Sequence, residues 1–532
     1  MNYSSLISMM TKASTYDADA QLFFNAQAAA GVTLTTTQKN AVNQWVVDAK
    51  AIGIWTKMKA VYPMVGGTAT SHKFNLKNPL DTDAAFRLAF SGGGTHSANG
   101  YLPNGTNAYA NTFLNPSTQL TLASTHLSYY SRTATPVGST VEIGVNNGGA
   151  SYLHIRSAAN FIAGSTAVIV PFTSTTNAQG FWVGSKRSNT DRETYLNGTT
   201  QSTVTTSDTA AYVNANMYLG AANQLGITAN YSNKECAFAS IGDGLTDLES
   251  QLFYQITEKY QVALSRNINT TQSFYYNSAY NNETNLFLFS TQITDNTIQT
   301  ATNTLVSDLK TANIFTKMKA IYPMVGGTAT THKFNLVNAQ DTNAAFRLSF
   351  VGGWTHSANG ALPNGTNAYA DTFLNSAVNL TNASNHISYY SRTATVGVVC
   401  EMGTYDGVTS SFFQVRAAGN YISGNVSNAL NFTTTGSALG FWLGTKRSNA
   451  DREIYRNGVS EVTSIISDTS TFPNINIYLG ARNSINYVPP GAQLFSSKQC
   501  AFASIGDGLT DAEALALYNA VNAFQVSLAR NV

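Results

Sequence analysis

The sequence of 532 residues is short of charge. Aspartate, glutamate, lysine and arginine make up 11% of the chain, against roughly 25% in typical soluble proteins. The formal net charge is +2, so no broad positive field is available and the composition argues against a nucleic-acid partner. Asparagine, threonine, serine and glycine supply the polarity instead, and these residues are typical of turns and strand surfaces.

Cysteine and long apolar runs are also scarce. The three cysteines, Cys236, Cys400 and Cys500, cannot build a disulfide framework, and we expect them to be buried small hydrophobic residues. No apolar stretch reaches the ~18 residues that a membrane-spanning helix needs. The first residues lack the basic and apolar segments of a secretory signal. We therefore expect a chain that is made in a cytoplasm and does not insert into membranes.

The chain does contain a long internal repeat. Residues 56–70 read TKMKAVYPMVGGTAT, and residues 316–330 read TKMKAIYPMVGGTAT. The offset between the two copies is 260 residues at first and 264 residues near their ends. Because insertions collect in exposed loops, this slip predicts a surface loop at 221–233 and 481–497. Each copy is long enough to form its own domain.

The repeat divides the chain into four parts. They are an N-terminal segment (1–17), a first copy (18–268), a connector (269–282) and a second copy (283–532). A free linker rarely carries many aromatic residues, so we expect the connector to pack against a domain. Its aromatic residues are Phe274, Tyr275, Tyr276 and Tyr280.

Helical patterns open and close each copy. Apolar residues recur at helical spacing near both starts, at Val42, Trp45, Val46 and Ala49 and at Ile298, Ala301, Leu305 and Leu309. Near both ends, Thr246-x-x-Glu249 and Thr510-x-x-Glu513 fit capping boxes that begin a final helix.

Between these helices, short β-rich runs alternate with glycine, asparagine and proline. In the first copy the runs are 59–62, 72–76, 84–90, 126–132, 140–145, 152–156, 181–184, 217–219 and 236–241. Asn197-Gly198 and Asn457-Gly458 are strong two-residue hairpin signals. The fold class is therefore predicted to be mainly β, with two tandem antiparallel β-sandwich domains. Each sandwich has an N-terminal helical segment and a C-terminal helix.

Signatures of catalysis and of metal binding are missing. The chain has no H-E-x-x-H, C-x-x-C or G-x-S-x-G motif, and no pair of neighbouring carboxylates suited to glycoside cleavage. Glu193 lies close in sequence to Lys186, Arg187 and Arg192, so ion pairing on the surface explains it at least as well as acid catalysis. We expect no enzyme, no cofactor and no metal. Calcium at Asp243 or Asp507 has thin support, since calcium needs 6–8 oxygen ligands.

Two glycine-rich loops, GGGTHSANGYLPN and GGWTHSANGALPN, differ in their aromatic residues. Tyr101 replaces Ala361 of the second copy, and Trp354 replaces Gly94 of the first. We expect these two rings to be exposed for contact with a glycan or a protein partner, and drift on a tolerant loop is the alternative. The candidate contact residues are Trp354, Tyr101, His96 and His356.

Several long strings resemble a domain of tailed-phage virion proteins, found among phages of Bacteroidota, including crAss-like phages. They are KMKAVYPMVGGTATSHKFNL, AAFRLAF, LPNGTNAYANTFLN, SYYSRTAT, the RxxYxNG hairpin and KxCAFASIGDGLTDxE. The β region of that domain is similar to the concanavalin A-like, laminin G-type jelly roll. The resemblance covers 18–268 and 281–532 in tandem duplicate, and it assigns no functional residue.

The resemblance implies a virion structural protein, as a head or tail appendage or a fibre-type component, made in the host bacterial cytoplasm. Its partners would be other virion proteins, with a homo-oligomer expected and a host-surface glycan as a further partner. The alternative is a glycan-binding adhesin for host recognition, and a polysaccharide depolymerase is the weaker third hypothesis. Because the framework is constant and the loops differ, we expect two non-equivalent contacts.

Overall fold

The fold was analysed in a computed structural model. The structure describes residues 16–135, 140–147, 149–154, 160–172, 177–270, 276–395, 397, 399–415, 418–433, 436–485 and 491–532. The chain forms two compact units, Met1–Ser278 and Ala279–Val532. The division falls inside the connector expected from the repeat.

The connector is packed where it is described. Tyr276 is 3% exposed, and the ammonium of Lys259 lies 5.7 Å from the centre of its ring. The packing expected for the connector is thus confirmed at Tyr276. Phe274 and Tyr275 lie outside the described residues.

Long helices lie at both ends of the first unit in sequence, and short ones lie between its strands. In chain order they are α1 (Ala18–Ala29), α2 (Thr36–Ala51), α3 (Ala69–His72), α4 (Pro116–Gln119) and α5 (Asp247–Ala263), with 3-10 turns at Ile54–Lys57 and Asp83–Ala85. The capping box predicted at the last helix is present, since the Glu249 amide donates to Thr246 Oγ1 and the Thr246 amide donates to Glu249 Oε2. The apolar face predicted near Trp45 lies on α2 and is buried.

The strands of the first unit follow the same order. They are β1 (Met58–Tyr62), β2 (Ala89–Ser91), β3 (Thr95–Ser97), β4 (Gly100–Leu102), β5 (Tyr109–Asn111), β6 (Thr125–Ser131), β7 (Ile143–Asn147), β8 (Gly149–His154), β9 (Asn160–Ser165), β10 (Val170–Pro171), β11 (Gly180–Ser188), β12 (Asp191–Leu196), β13 (Thr199–Val204), β14 (Tyr218–Leu219), β15 (Ala222–Gln224), β16 (Ile227–Ala229) and β17 (Cys236–Gly242).

Two sheets arise from these strands. The eight-stranded sheet has the order β13-β12-β11-β6-β17-β4-β3, with β1 also paired to β17. The nine-stranded sheet has the order β10-β9-β8-β7-β14-β5-β2, and β15 and β16 extend it beside β7. Every pairing is antiparallel except that of β15 with β7. The mainly β sandwich predicted from the repeat is therefore confirmed.

The second unit repeats this plan. Its helices are α6 (Asn282–Thr291), α7 (Asn296–Thr311), α8 (Ala329–His332), α9 (Ser376–Asn379) and α10 (Asp511–Ser527), with 3-10 turns at Phe315–Lys317, Asn343–Ala345 and Val426–Asn428. Its strands are β18 (Met318–Tyr322), β19 (Ser349–Val351), β20 (Trp354–Ser357), β21 (Gly360–Pro363), β22 (Tyr369–Asn375), β23 (Asn385–Ser391), β24 (Met402–Tyr405), β25 (Thr409–Gln414), β26 (Ala418–Asn425), β27 (Leu430–Thr433), β28 (Gly440–Ser448), β29 (Asp451–Arg456), β30 (Val459–Ser464), β31 (Asn476–Leu479), β32 (Arg482–Ser484), β33 (Gly491–Gln493) and β34 (Cys500–Gly506). They again form sheets of eight and nine strands.

Each unit has three layers, with helices on one side of a sandwich. Trp182 points into the core between the two sheets, whereas its neighbour Phe181 points outward and packs on Phe253 of α5, with ring centres 4.9 Å apart. Trp45 of α2 packs on Phe238 of the same sheet at 5.1 Å. The long helices thus cover the outer face of the eight-stranded sheet, and the outer face of the nine-stranded sheet is the opposite side of the unit.

Two of the predicted β-rich runs are wrong. Residue 72 ends the short helix α3, and residues 73–76 follow it without forming a strand. The N-cap of this helix, Thr68, forms a capping box with Ser71. Residues 84–90 begin in a 3-10 turn, and Phe86 takes a left-handed backbone conformation with φ of 58°, so the strand starts only at Ala89. Local side-chain caps and a turn outweighed strand propensity in both runs.

The predicted hairpins and the variable loop are confirmed. Asn197 and Gly198 both have positive φ, 51° and 73°, as a two-residue turn of this type requires. The slip in the repeat lies in the hairpin formed by β15 and β16 and by its counterpart, β32 and β33. Two residues join the first pair of strands and six join the second.

The cysteines behave as expected. Cys236, Cys400 and Cys500 are unpaired and buried. Burial raises the pKa of the Cys500 thiol to about 12. Among the described residues, no helix combines the length and the apolar character needed to cross a bilayer.

Candidate binding surface

The exposure expected of Tyr101 is wrong. Its side chain is 0% exposed and belongs to the core of the first unit. The ring stacks on His96 with centres 4.9 Å apart. A Cβ on Gly94 would lie 2.4 Å from this ring, so the ring fills the space beside the glycine. A fully buried ring has no surface to offer a ligand, and the contact role predicted for Tyr101 is therefore corrected.

Trp354 occupies the corresponding space in the second unit. Its ring packs partly buried against the core, 5.2 Å from Phe350. The indole N–H donates to the carbonyl oxygens of Val351 and Tyr369. The aromatic residue has moved to the neighbouring strand, and Ala361 leaves the room that Tyr101 fills in the first unit. The difference between the loops is thus a compensated core exchange.

The two predicted histidines each belong to a histidine pair. His96 Nδ1 lies 2.9 Å from His72 Nδ1, and His356 Nδ1 lies 2.9 Å from His332 Nδ1. Burial, together with the neighbouring histidine, lowers the pKa of His72 and of His332 to about 3. A neutral, hydrogen-bonded pair next to the core serves structure, and a ligand contact by the half-buried His96 and His356 stays a prediction.

A pair of stacked tyrosines lies on the outer face of the nine-stranded sheet in the first unit. On β5, Ala110 points into the core, so Tyr109 and Asn111 point outward. On β14, Leu219 points inward and Tyr218 outward. The rings of Tyr109 and Tyr218 stack with centres 4.6 Å apart and planes 24° apart.

The second unit has the same pair. Tyr369 of β22 and Tyr478 of β31 stack at 4.6 Å with planes 19° apart. All four tyrosines are partly exposed, and the structure gives none of their hydroxyl groups a hydrogen-bond partner among the described residues. We call each pair, with the outward residue facing its second tyrosine (Asn111 or Asp371), a tyrosine platform.

The hairpin of variable length is anchored next to the platform. Asn223 of β15 donates a side-chain hydrogen bond to the carbonyl oxygen of Asn216 at 2.8 Å, two residues before Tyr218. Asn483 makes the same bond to Asn476 at 2.9 Å. Each platform is therefore bordered by a hairpin whose base is fixed and whose length differs.

Sequence reasoning missed these tyrosines. The string NGTNAYA occurs in both copies, and its alternation of small and aromatic residues is typical of a strand with one buried face. What the sequence does not contain is the pairing of β5 with β14, whose partners lie more than 100 residues apart.

The acidic residues form closed ion-pair networks. Tyr195 donates toward Glu193 and Asp247, 2.9 and 2.8 Å away, so the structure brings together a carboxylate pair that the sequence did not reveal. Arg187 contacts both carboxylates and Asp191. Desolvation, followed by the neighbouring Asp247, raises the pKa of Glu193. The carboxylates meet around one hydroxyl group, whereas glycosidases hold theirs ~5–9.5 Å apart across a sugar bond. The expected ion pairing of Glu193 is confirmed, but its expected place on the surface is wrong, since Glu193 is 3% exposed.

The described residues contain no group of three or more His, Cys, Asp or Glu side chains arranged to hold a metal ion. Asp243 and Asp507, considered for calcium, instead lie near Lys59 at 3.6 Å and Lys319 at 3.4 Å.

A cavity of about 630 Å³ opens in the second unit, between the loop from α6 to α7 and residues 325–327 and 527–529. Its volume is that of a ligand pocket, and some of its polar groups are engaged within the protein. Asp295 accepts the amides of Thr297 and Ile298, and the Thr331 hydroxyl donates to the carbonyl oxygen of Thr328.

Comparisons with known proteins give only distant likenesses. No protein-family model matches the chain, and no curated protein matches it either. Similar solved structures include domain 4 of AbnA, an arabinanase from Geobacillus stearothermophilus, in complex with arabinotriose. It is 16% identical, and the match covers 38% of this chain and 98% of that one, with a TM-score of 0.23.

Two further likenesses are of the same kind. The binding domain of botulinum neurotoxin serotype D is 14% identical over 39% of this chain and 52% of its own, with a TM-score of 0.26. A mutant Trypanosoma rangeli sialidase is 11% identical over 42% and 39%, with a TM-score of 0.29. The chain thus spans about half or less of these two structures. With TM-scores this low, the likenesses carry no argument about what the chain binds.

Proposed function

We propose that the chain is a glycan-binding attachment protein, built of two lectin-like sandwiches, that serves as a structural component of a phage particle. The observation that carries the glycan-binding part is the stacked tyrosine pair, repeated with the same geometry in both units. Sugars bind to exposed aromatic rings with the help of a few polar groups. Each platform has two partly exposed rings, hydroxyl groups without a hydrogen-bond partner among the described residues, and one amide or carboxylate.

Within each unit, the platforms lie away from the helices. The helices cover the eight-stranded sheet, and the platforms lie on the other side of each unit. The virion part rests on the resemblance of the repeated strings to phage virion domains, with other virion proteins and further copies of this chain as partners. We propose no catalytic role, because Glu193 and Asp247 are held together by Arg187 and Tyr195.

A glycan array probed with the full chain tests the proposal. We expect binding to be lost when Tyr109→Ala and Tyr369→Ala are combined, because each platform then loses one ring. The matched control combines Tyr109→Phe with Tyr369→Phe, which keeps the rings and should retain part of the binding. Thermal unfolding of each variant shows that the fold is intact. Unchanged binding by a folded alanine variant would contradict the proposal.

The virion part has its own test. Mass spectrometry of purified phage particles should detect the chain in constant proportion to known structural proteins. Its absence from particles would remove the virion role and leave a free glycan-binding adhesin. Release of reducing ends from host capsule by the purified chain would instead favour a depolymerase.

A further inference from the structure

The two platforms differ in one charged group. Asn111 is the cross-strand partner of Tyr218, and Asp371 is the cross-strand partner of Tyr478. Residues opposite each other on one face of an antiparallel pair have Cβ atoms about 4.5–5.5 Å apart. The amide of the first unit and the carboxylate of the second therefore border the second tyrosine of each pair.

Both side chains are held in the same way. Asn111 Oδ1 accepts the amide of Phe113 at 2.9 Å, and Asp371 Oδ1 accepts the amide of Phe373 at 2.7 Å. With its oxygen used, Asn111 keeps an NH2 group with no partner among the described residues, and this group can donate to a ligand. The other oxygen of Asp371 accepts from Asn476 at 3.3 Å. The exchange thus replaces a neutral donor by an anionic acceptor at a fixed position.

The neighbouring arginine does not cancel this difference. Arg87 lies over the ring of Phe113, and Arg347 lies over the ring of Phe373, each at 5.7 Å. Each arginine has an aspartate partner, Asp81 at 3.4 Å in the first unit and Asp341 at 3.3 Å in the second.

A second arginine partner also differs between the units. Arg87 Nε also contacts Asp83 at 2.9 Å, where Arg347 Nε contacts the neutral Asn343 at 3.1 Å. The first unit therefore has its additional carboxylate beside the arginine, and the second has it on the platform.

We propose that Asn111 and Asp371 set the charge selectivity of the two platforms. The first platform accepts neutral glycans and glycans that carry a carboxylate, whereas the second excludes those that carry a carboxylate near the tyrosines. Like charges about 4 Å apart repel by about 1 kcal/mol in water and by about 4 kcal/mol near a protein surface. A tenfold loss of affinity, which is about 1.4 kcal/mol, lies within that range. The inference rests on the proposed glycan binding.

The test uses the full chain with one platform active at a time. Tyr369→Ala with Tyr478→Ala leaves the first platform, and Tyr109→Ala with Tyr218→Ala leaves the second. The probes are matched neutral and acidic glycans on one array, lactose with 3′-sialyllactose and cellobiose with its uronic-acid analogue. The quantity measured is the ratio of acidic to neutral binding at 0.1 M and at 1 M salt.

We expect the ratio to be about tenfold lower for the second platform. Asn111→Asp should lower the ratio of the first platform by a similar factor, and Asp371→Asn should raise that of the second. The difference should shrink at 1 M salt, because salt screens exposed charges. As controls, Asp83→Asn and Asn343→Asp each change the net charge by one unit beside the arginine instead of on the platform. Both ratios should stay unchanged.

The outcomes separate the two proposals. If neutral glycans bind through the tyrosines but Asn111→Asp and Asp371→Asn leave the ratio of acidic to neutral binding unchanged, charge selectivity is overturned and glycan binding stands. If Asp83→Asn changes the ratio as much as Asn111→Asp does, net charge rather than this position sets it, which also overturns the inference. If no glycan binds to either platform, glycan binding fails and the selectivity fails with it.

Discussion

The two units share a framework that is constant and a set of exchanges that are not. The tyrosine pairs, the histidine pairs and the Arg187 network recur in the second unit with nearly unchanged distances. The exchanges fall into two kinds. Between Tyr101 and Trp354 the exchange keeps a ring in the core, whereas around the platform the exchanges move a carboxylate or change the length of a hairpin. The packing is thus largely the same in the two units, whereas the surface around the platform differs.

The largest effect is expected when the core exchange between Tyr101 and Trp354 is disrupted. Tyr101→Ala should lower the free energy of unfolding of the first unit by about 3 kcal/mol, because a large buried ring is lost. Gly94→Trp alone should also destabilise, since even a Cβ there lies 2.4 Å from the tyrosine ring. The double variant reproduces the second unit and should recover at least half of the summed loss. Denaturant unfolding with hydrogen exchange assigns the change to one unit, and simple additivity would contradict compensation.

A buried acid of the first unit has no acidic counterpart in the second. Glu258 accepts from the Tyr130 hydroxyl at 2.7 Å, and desolvation raises its pKa to about 7. The folded state therefore favours the protonated acid, and stability falls as pH rises from the unfolded pKa of about 4.5 through about 7. Asn522 occupies this position in the second unit.

Glu258→Gln should consequently stabilise the first unit at pH 8 by about 3 kcal/mol and have little effect near pH 4.5. Calorimetry of the full chain at both pH values measures the gain. An equal gain at both pH values would mean that packing, not ionisation, separates glutamate from glutamine here.

The histidine pairs should give the two units the same dependence of stability on pH. Burial lowers the pKa of His72 and His332 to about 3, so the folded state favours the neutral ring. Stability is complete above the unfolded pKa of about 6.5 and is lost as pH falls toward 3. Each should contribute a loss of about 1.4 kcal/mol between pH 7.5 and 5.5.

His72→Gln should remove this contribution from the first unit, and His332→Gln should remove it from the second by the same amount. Unfolding free energies at the two pH values test both variants. Burial also lowers the pKa of His126 and of His386 to about 4, so part of the pH dependence should remain in each variant. A pH dependence as large as that of the unmodified chain would assign the loss to groups other than His72 and His332.

The smallest expected effect concerns the cavity of the second unit. Leu34 directly precedes the helix N-cap Thr35 and is 5% exposed, and its Cδ2 would lie 3.1 Å from a Cβ on Gly66. Thr294 holds the same place before Asp295 and is exposed. Thr294→Leu should fill part of the cavity and stabilise the second unit by about 1 kcal/mol. Unchanged melting would show that the leucine stays in solvent.

Local signals let the sequence predict much of the fold. Capping boxes at Thr246 and Thr510, Asn-Gly turns and the slip of the repeat each depend on neighbouring residues, and each is where it was expected. The tyrosine platforms could not be predicted, because they depend on strands far apart in sequence. The burial of Tyr101 could not be predicted for the same reason, since only the fold shows that its ring fills the space beside Gly94.

The hairpin beside each platform has a consequence for how such a chain can change. Its base is tied to the sheet through Asn223 or Asn483, while two residues close it in one unit and six separate its strands in the other. Mutation can therefore lengthen or shorten the tip without altering the strand order beneath. Because the two hairpins belong to separate units, the surface beside one platform can change while the surface beside the other is retained.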